Sequence, residues 1–318
     1  MNAPSATFSF VGHEAAEGEL AAALGGARLH HAWLICGPRG VGKATLAFRA
    51  ARVALGAKRV GPRPLDVAPD DPIARQIAAG SHPDFFLVER GLNERGKRRR
   101  DISAEEARAL PGFFSLASAS GGMRVAIVDA VDDLNRFSAN ALLKILEEPP
   151  PRTLLMLVCH APGAALATIR SRCRRLDLRA LSEPEMGQVI EADAEIVRLA
   201  AGRPGRAAAF LAQGDLAGAL SEALARLERQ GGRSLLPIAM TRGGDAEERL
   251  ALVLDAVEDW VRRAAARVDA PSSRAAAWAE AYSDLETLRG EADGLDMDPT
   301  HALARAALIV DRALGARA

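Results

Sequence analysis

The chain has 318 residues and is 49% hydrophobic, 26% charged and 4% aromatic. This composition is typical of a soluble globular protein with two or three domains, and the abundance of Ala, Leu and Arg favours helices. The 41 basic side chains balance the 41 acidic ones, which excludes a whole-molecule field that would draw the chain onto nucleic acid.

Cysteine usage and the N-terminal sequence indicate a cytoplasmic protein. Cys36, Cys159 and Cys173 lie in or beside apolar runs, and no Cys-x-x-Cys pair is present. We therefore expect buried free thiols and no zinc site. The N-terminus lacks the basic and apolar regions of a signal peptide, and no apolar stretch matches the roughly 20 residues that span a bilayer, so no membrane contact is expected.

The first half of the chain alternates short apolar runs with helical patterns. Strands are predicted at residues 32–36, 85–88, 124–129, 153–159 and 175–178. Helices are predicted at residues 43–55, from the N-cap Ser103, and at 135–148. Strands that alternate with helices indicate a parallel sheet flanked by helices.

After Leu181 the pattern becomes helical throughout. Ser182, Pro184 and Glu185 together are typical of a helix start. Breaks in the helical pattern are predicted at residues 202–205, 231–232, 243–244, 269–271 and 294–299. The sequence therefore predicts three domains: an α/β domain at residues 1–181, a helical lid at 182–234 and a C-terminal all-α domain at 235–318.

The loop after the first strand carries the clearest chemical motif. It reads GPRGVGKAT and matches G-x-x-x-x-G-K between a predicted strand and a predicted helix. Gly37, Gly40 and Gly42 allow backbone N–H groups to converge on phosphate oxygens, and Lys43 would neutralise the β- and γ-phosphates. The motif predicts a P-loop α/β domain with a nucleotide-binding loop.

The residues that normally complete such a site are missing. Ala44 stands where a Ser or Thr hydroxyl would ligate Mg²⁺, and Thr45 lies about 100° further round the helix. Asp129 ends a strand as a metal-side acid does, but Ala130 follows it where an active ATPase of this type carries Glu. We therefore expect a degenerate site with no metal, no required cofactor, weak ATP or ADP binding at most, and little or no hydrolysis.

Two basic features have competing interpretations. Arg172 is either an exposed surface residue, which its spacing alone favours, or an arginine finger that reaches a nucleotide held by an adjacent subunit. The basic run at residues 95–100 either contacts phosphate backbone or forms a solvated loop. Because the run has no interleaved aromatic residues for base stacking, the solvated loop is the preferred interpretation.

Four stretches of the chain resemble the bacterial clamp-loader subunits of the AAA+ class. They are residues 31–34 before the glycine-rich loop, the His-Pro-Asp turn at 82–84, NALLKILEEPP at 140–150 and IRSRC at 169–173. The last two stretches together are highly specific. The resemblance in motifs extends over about residues 7–180, and beyond them only the helical character and the order of segments agree.

Within that family the chain is similar to the delta-prime branch rather than to the gamma/tau motor subunits of DNA polymerase III. Ala44 and Ala130 replace ATPase residues, and Gly205 stands where the motor subunits have a sensor arginine. Cys159 and His160 occupy the sensor 1 region without its usual Thr. The zinc module of many relatives is not implied, because residues 50–81 contain no Cys.

The resemblance implies an AAA+ core, a helical lid and a C-terminal collar that holds a five-subunit ring together. The expected partners are the gamma/tau and delta subunits in a hetero-pentameric ring and, through the ring, the sliding clamp and primer-template DNA. Arg172 is implied to be the finger donated to the ATP site of a neighbouring motor subunit.

Three alternatives remain at the level of the sequence. The chain is an active AAA+ motor subunit if Thr45 is recruited to Mg²⁺. A small-molecule P-loop kinase is disfavoured because no acceptor-site motif is evident and the long helical C-terminus is typical of an interaction module. A DNA-binding adaptor is disfavoured by the net charge of zero.

Overall fold

The fold is described from a computed structural model of the chain. It describes residues 3–26, 29–92, 99, 101–163, 165–240, 245–268, 273–295 and 297–315. The chain divides into two compact units. The first comprises residues 1–189 with 202–205, and the second comprises residues 190–201 with 206–318.

The first unit is a parallel sheet with helices on both faces. Its elements in chain order are α1 (Glu14–Gly25), β1 (Ala32–Cys36), α2 (Lys43–Ala54), α3 (Pro72–Ala78), β2 (Phe85–Glu89), α4 (Ala104–Ser115), β3 (Arg124–Asp129), α5 (Arg136–Glu147), β4 (Thr153–Cys159), α6 (Ala167–Arg170), β5 (Arg174–Asp177) and α7 (Glu183–Val189). The described residues form a 5-stranded sheet in the order β2-β3-β4-β1-β5. The parallel α/β architecture predicted from the alternation is confirmed.

The two faces of the sheet bury two separate apolar clusters, because side chains alternate along each strand. Trp33 and Ile35 of β1 pack into one cluster with residues of α1 and α2. Leu34 and Cys36 pack into the other with residues of α4 and α5. Strands β1 and β4 are buried along their whole length, which is why they read as continuous apolar runs.

The parallel topology brings the glycine-rich loop and the candidate site residues after β3 and β4 to one edge of the sheet. Cys36 lies in register with Cys159, and Asp129 lies in register with Val158. The segments that follow β1, β3 and β4 therefore leave the sheet at the same end, as the carboxyl ends of neighbouring parallel strands do. The glycine-rich loop follows β1 at this edge.

The described secondary-structure elements of the second unit are all helical. Its segments are α8 (Ala194–Ala200), α9 (Pro204–Ala212, of which 204–205 belong to the first unit), α10 (Leu216–Gln230), a 3₁₀ segment (Gly232–Met240), α11 (Ala246–Ala265), α12 (Ser273–Leu295) and α13 (Pro299–Gly315). The helical second half agrees with the sequence. Its division into a lid at 182–234 and a collar at 235–318 stays a prediction.

Three features of the sequence analysis can be placed at this level. Among the described residues, no helix has the length and apolarity to cross a membrane. Within the same part of the chain, no group of three or more His, Cys, Asp or Glu side chains is arranged to hold a metal ion. Of the basic run at residues 95–100, all but Arg99 lies outside the described residues.

Candidate functional site

The glycine-rich loop joins β1 directly to the N-terminus of α2. Gly37 has a φ of +148°, and a Cβ atom there would lie 2.4 Å from the carbonyl oxygen of Leu178, so the position excludes a side chain. Gly40 and Gly42 also have positive φ angles, +82° and +109°. The loop ends at the first residue of the 12-residue helix α2, whose N-terminal N–H groups and dipole favour an anion.

Lys43 is folded against its own loop. Its Nζ donates hydrogen bonds to the carbonyl oxygens of Gly37, at 2.6 Å, and Pro38, at 2.7 Å. Burial lowers the pKa of Lys43 to about 8, and the negative charges of Asp129 and Asp132 only partly oppose this shift. The ammonium group therefore needs an anionic partner to remain fully charged at mildly alkaline pH.

A cavity of about 330 Å³ opens beside the loop within the first unit. Five of the six nucleotide-binding residues predicted from the sequence line it: Gly40, Gly42, Lys43, Thr45 and Asp129. Gly37, the sixth, binds Lys43 through its carbonyl oxygen. The structure thus brings the predicted nucleotide-binding residues together at one place.

The N-terminal segment forms a further wall of this cavity, which sequence reasoning missed. Pro4, Thr7, Ser9, Phe10 and Val11 all line it. None of these residues belongs to a recognisable motif, and only the fold places them beside the glycine-rich loop.

Buried arginines of α2 hold this N-terminal segment in place. Arg52 donates to the carbonyl oxygens of Ser5, at 2.6 Å, and Thr7, at 3.1 Å, and its guanidinium lies 4.0 Å from the centroid of the Phe8 ring. Arg49 donates to the carbonyl oxygen of Phe8. A sequence signal did exist, because Arg49 falls on the apolar stripe of the predicted helix.

Glu17 of α1 compensates the charge of Arg49. One oxygen of its buried carboxylate lies 2.6 Å from Arg49 Nη2, and the other lies 2.6 Å from Nε of Arg63. Arg63 in turn donates to the carbonyl oxygen of Gly12 at 2.7 Å. Buried charges require such pairing, and the network fixes the wall of the cavity to α1 and α2.

Acidic and basic side chains also line the cavity. Burial raises the pKa of Asp129 and of Asp133. Arg90 pairs with Asp133 at 3.4 Å, and Arg39 also lines the cavity. Asp133 is only 15% exposed, because Arg90, the residue after β2, lies against it.

Asp132 organises the segment that follows β4. Its carboxylate accepts hydrogen bonds from the backbone N–H groups of His160, at 2.6 Å, and Ala161, at 2.7 Å. His160 itself lines the cavity. The end of β3 and the end of β4 are therefore tied together next to the cavity.

The residues present do not fit an Mg²⁺ ion bound in the usual way of such loops. Ala44 lines the cavity and offers no side-chain oxygen. Thr45 lines it too, one position further along α2, which keeps the motor alternative open. The loop suits the phosphates of a nucleotide, since its glycines have positive φ angles and Lys43, Arg39 and Arg90 supply positive charge around the cavity.

Gly205 also borders the cavity. Its N–H donates to the carbonyl oxygen of Gly40 at 2.9 Å. A Cβ atom at this position would come within 3.0 Å of the Gly40 Cα. A side chain at position 205 would therefore require the glycine-rich loop to shift by a few tenths of an ångström.

Arg172 lies away from these residues and does not line the cavity. It follows α6, whose Ile169 is buried and anchors the segment. Its side chain remains 36% exposed, with Nη2 at 3.0 Å from Oε1 of Glu147 and Nη1 donating to the carbonyl oxygen of Thr168 at 3.0 Å. The guanidinium of Arg172 can therefore contact a group outside the chain but not one in the cavity of its own chain. Sequence reasoning did not foresee the contact with Glu147.

Comparison with known proteins identifies the family. A family model described as DNA polymerase III, delta subunit matches residues 12–182, which is more than half of the 318 residues. The chain belongs to this family. The matched range contains the glycine-rich loop, Asp129 and Arg172.

Individual relatives agree with this assignment. The DNA polymerase III subunit delta' of Pseudomonas aeruginosa is 37% identical over 151 residues, 47% of this chain and 44% of that protein. The subunit delta' of Escherichia coli is 33% identical over 208 residues, 62% of this chain and 59% of that protein. The subunit tau of Escherichia coli is 34% identical over 188 residues, 59% of this chain and 28% of that protein. The chain thus spans at most 59% of the length of these curated relatives.

A solved structure of a DNA polymerase III gamma subunit-related protein from Thermotoga maritima aligns with 93% of this chain and 99% of its own, with a TM-score of 0.47 and 15% identity.

Proposed function

We propose that the chain is a delta-prime-like subunit of the DNA polymerase III clamp loader, which helps to load the sliding clamp onto primed DNA. In this role it hydrolyses little or no ATP itself and donates Arg172 to the ATP site of a neighbouring gamma or tau subunit. The observation that carries the proposal is the separation of Arg172 from the cavity of its own chain, combined with the missing hydroxyl at Ala44.

Charge supports the proposed role of Arg172. Negative charge develops on the transferred phosphoryl group, and a guanidinium placed against it contributes about 10³–10⁵ in rate. Arg172 is 36% exposed at the surface of the first unit, so its guanidinium is accessible to a nucleotide bound by another subunit. A cation fixed inside its own cavity would lack this access.

The cavity of the chain itself is proposed to be a degenerate nucleotide site. It retains the glycines, Lys43 and Asp129, and it lacks both the Mg²⁺ hydroxyl at position 44 and the water-positioning carboxylate at position 130. ATP or ADP binding is proposed to be weak and not to require Mg²⁺. No zinc is part of the proposal.

The proposed partners follow from the relatives. The relatives described above include proteins named subunits delta' and tau of DNA polymerase III. We place the chain in a hetero-pentameric ring with gamma or tau and delta, where the second, helical unit holds the subunits together. The sliding clamp and primer-template DNA are partners of the assembled ring in a cytoplasmic setting.

One alternative keeps a specific observation in its favour. Thr45 lines the cavity beside Ala44, and an active motor subunit would use the Thr45 hydroxyl to ligate a bound metal ion. In that case the isolated chain hydrolyses ATP in the presence of Mg²⁺.

The proposed role of Arg172 is tested with Arg172→Ala in the assembled complex. ATP turnover at the one site that this arginine serves should fall about 10³-fold or more. The ATP hydrolysis rate of the whole ring should therefore fall by the fraction that this site contributes. Assembly, measured by size-exclusion chromatography, should be intact because Arg172 is not part of the apolar core.

Arg174→Ala is the matched control. Arg174 lies two residues further along, is exposed and forms an ion pair with Glu19 at 2.8 Å. It should leave the ATPase of the ring unchanged. An unchanged ATPase rate in the Arg172→Ala ring would contradict the assignment.

A further inference from the structure

Arg172 is held by an acidic side chain at the end of a helix whose apolar face packs into the core. Glu147 is the last residue of α5, and its Oε1 lies 3.0 Å from Arg172 Nη2. Leu142, Ile145 and Leu146 of the same helix are buried in the core. The carboxylate therefore projects from a rigid element, although it is itself 51% exposed.

We propose that Glu147 is the positioning residue for Arg172. It holds the guanidinium in the orientation in which it meets the nucleotide of the neighbouring subunit. The inference rests on the proposed role of Arg172 as a trans-acting finger, and it adds to that role the residue that prepares the finger.

Two contacts fix the two terminal nitrogens of the guanidinium. Glu147 faces Nη2, and the carbonyl oxygen of Thr168 accepts from Nη1. Together they restrict a side chain whose many rotamers would otherwise have to be ordered on binding. Part of this ordering is therefore complete before the neighbouring subunit arrives, which is the benefit of preorganisation.

The backbone next to Arg172 is restrained as well. The side chain of Arg170 donates from Nη1 to the carbonyl oxygens of Pro162, Gly163 and Ala165, at 2.8, 3.1 and 2.9 Å. Arg170, two positions before Arg172, thereby holds the segment between β4 and α6 in place. Backbone and side chain are thus both restrained, and Glu147 supplies the negative charge that faces the guanidinium.

The ion pair is weak enough to coexist with a phosphate. Exposed ion pairs contribute little to stability, so Glu147 orients Arg172 without competing strongly against a polyanion. Within the described part of the chain, the Nε–H of Arg172 has no acceptor. It therefore remains free to donate to a phosphate oxygen while Nη2 stays near Glu147.

The experiment compares Glu147→Ala, Glu147→Gln and the control Glu148→Ala in the assembled ring. We expect Glu147→Ala to lower kcat at the site served by Arg172 about fivefold with little change in KM, because a finger acts on the transition state. Glu147→Gln keeps the length of the side chain and one oxygen, so it should retain most of the activity. Glu148, the exposed neighbour, should have no effect.

The same substitutions in an Arg172→Ala background separate positioning from a structural role. If Glu147 acts through Arg172, Glu147→Ala has no further effect there, whereas a structural defect would persist. A kcat that is unchanged or raised by Glu147→Ala overturns this inference while Arg172→Ala still lowers turnover. An Arg172→Ala ring with normal turnover instead overturns the proposed function itself.

Discussion

At the scale of single residues, Lys43 has the most informative environment. Its pKa is lowered to about 8 by burial, and its hydrogen bonds go to carbonyl oxygens of its own loop. A phosphate group needs the protonated ammonium. We therefore expect the affinity for ADP without Mg²⁺ to fall about tenfold between pH 7 and pH 9 as Lys43 loses its proton, measured by titration with a fluorescent nucleotide.

Lys43→Arg is the control for this pH dependence. A guanidinium stays protonated throughout this range, so any affinity that the variant retains should not vary between pH 7 and pH 9. An affinity of the unsubstituted chain that stays constant over the same interval would contradict a phosphate contact of Lys43.

The sequence predicted the residues of the site that belong to contiguous motifs. The spacing of Gly37, Gly40, Gly42 and Lys43 is local, and the fold did place the predicted loop residues at one cavity. The contacts of Arg90 with Asp133 and of Glu147 with Arg172 were not found, because they depend on which strand or helix end lies opposite. Such contacts across the fold leave no local pattern in the sequence.

At the scale of elements, the turn before β2 depends on Asp84. Its buried carboxylate accepts hydrogen bonds from the N–H groups of Ala119, at 2.9 Å, and Ser120, at 3.1 Å, and from the hydroxyls of Ser118 and Ser120, both at 2.9 Å. Burial alone would raise the pKa of Asp84, but these donors lower it to about 2. The carboxylate thus links the β2 turn to the segment before β3.

Asp84→Asn should destabilise the first unit by about 2–4 kcal/mol, because the new amide places donors against donors. The folded pKa of Asp84 is depressed, so its contribution to stability is present above pH 4 and is lost as the pH falls towards 2. The free energy of unfolding in urea should therefore differ less between the original chain and the variant as the pH falls over that interval. Asp70→Asn, at an exposed position, should show no such difference, and a pH-independent difference for Asp84→Asn would contradict this account.

The elements found from the sequence share strong local signals. Strands β1, β3 and β4 have the predicted bounds, and Ser103 caps α4 in a capping box with Glu106. Helices α1 and α3 were not predicted. Helix α1 buries Glu17, whose partners Arg49 and Arg63 come from distant parts of the chain, so its buried face does not read as apolar.

At the scale of the whole molecule, the candidate functional residues lie in two places: the cavity beside the glycine-rich loop and the exposed Arg172. The cavity is lined by residues of the first unit alone, and Arg172 lies elsewhere on that unit. The net charge is zero, so long-range attraction to DNA is not expected to contribute to its action. A chain built in this way is expected to act through an assembly rather than alone.

The isolated chain should therefore show no ATP turnover, with or without Mg²⁺, above that of its Lys43→Ala variant. Phosphoryl transfer depends on a positioned metal ion and a positioned water, and Ala44 and Ala130 supply neither. The measurement is phosphate release from ATP by the purified chain, compared with Lys43→Ala and Thr45→Ala. Mg²⁺-dependent turnover abolished by both substitutions would show that Thr45 replaces the missing hydroxyl, and the motor alternative would then stand in place of the proposed function.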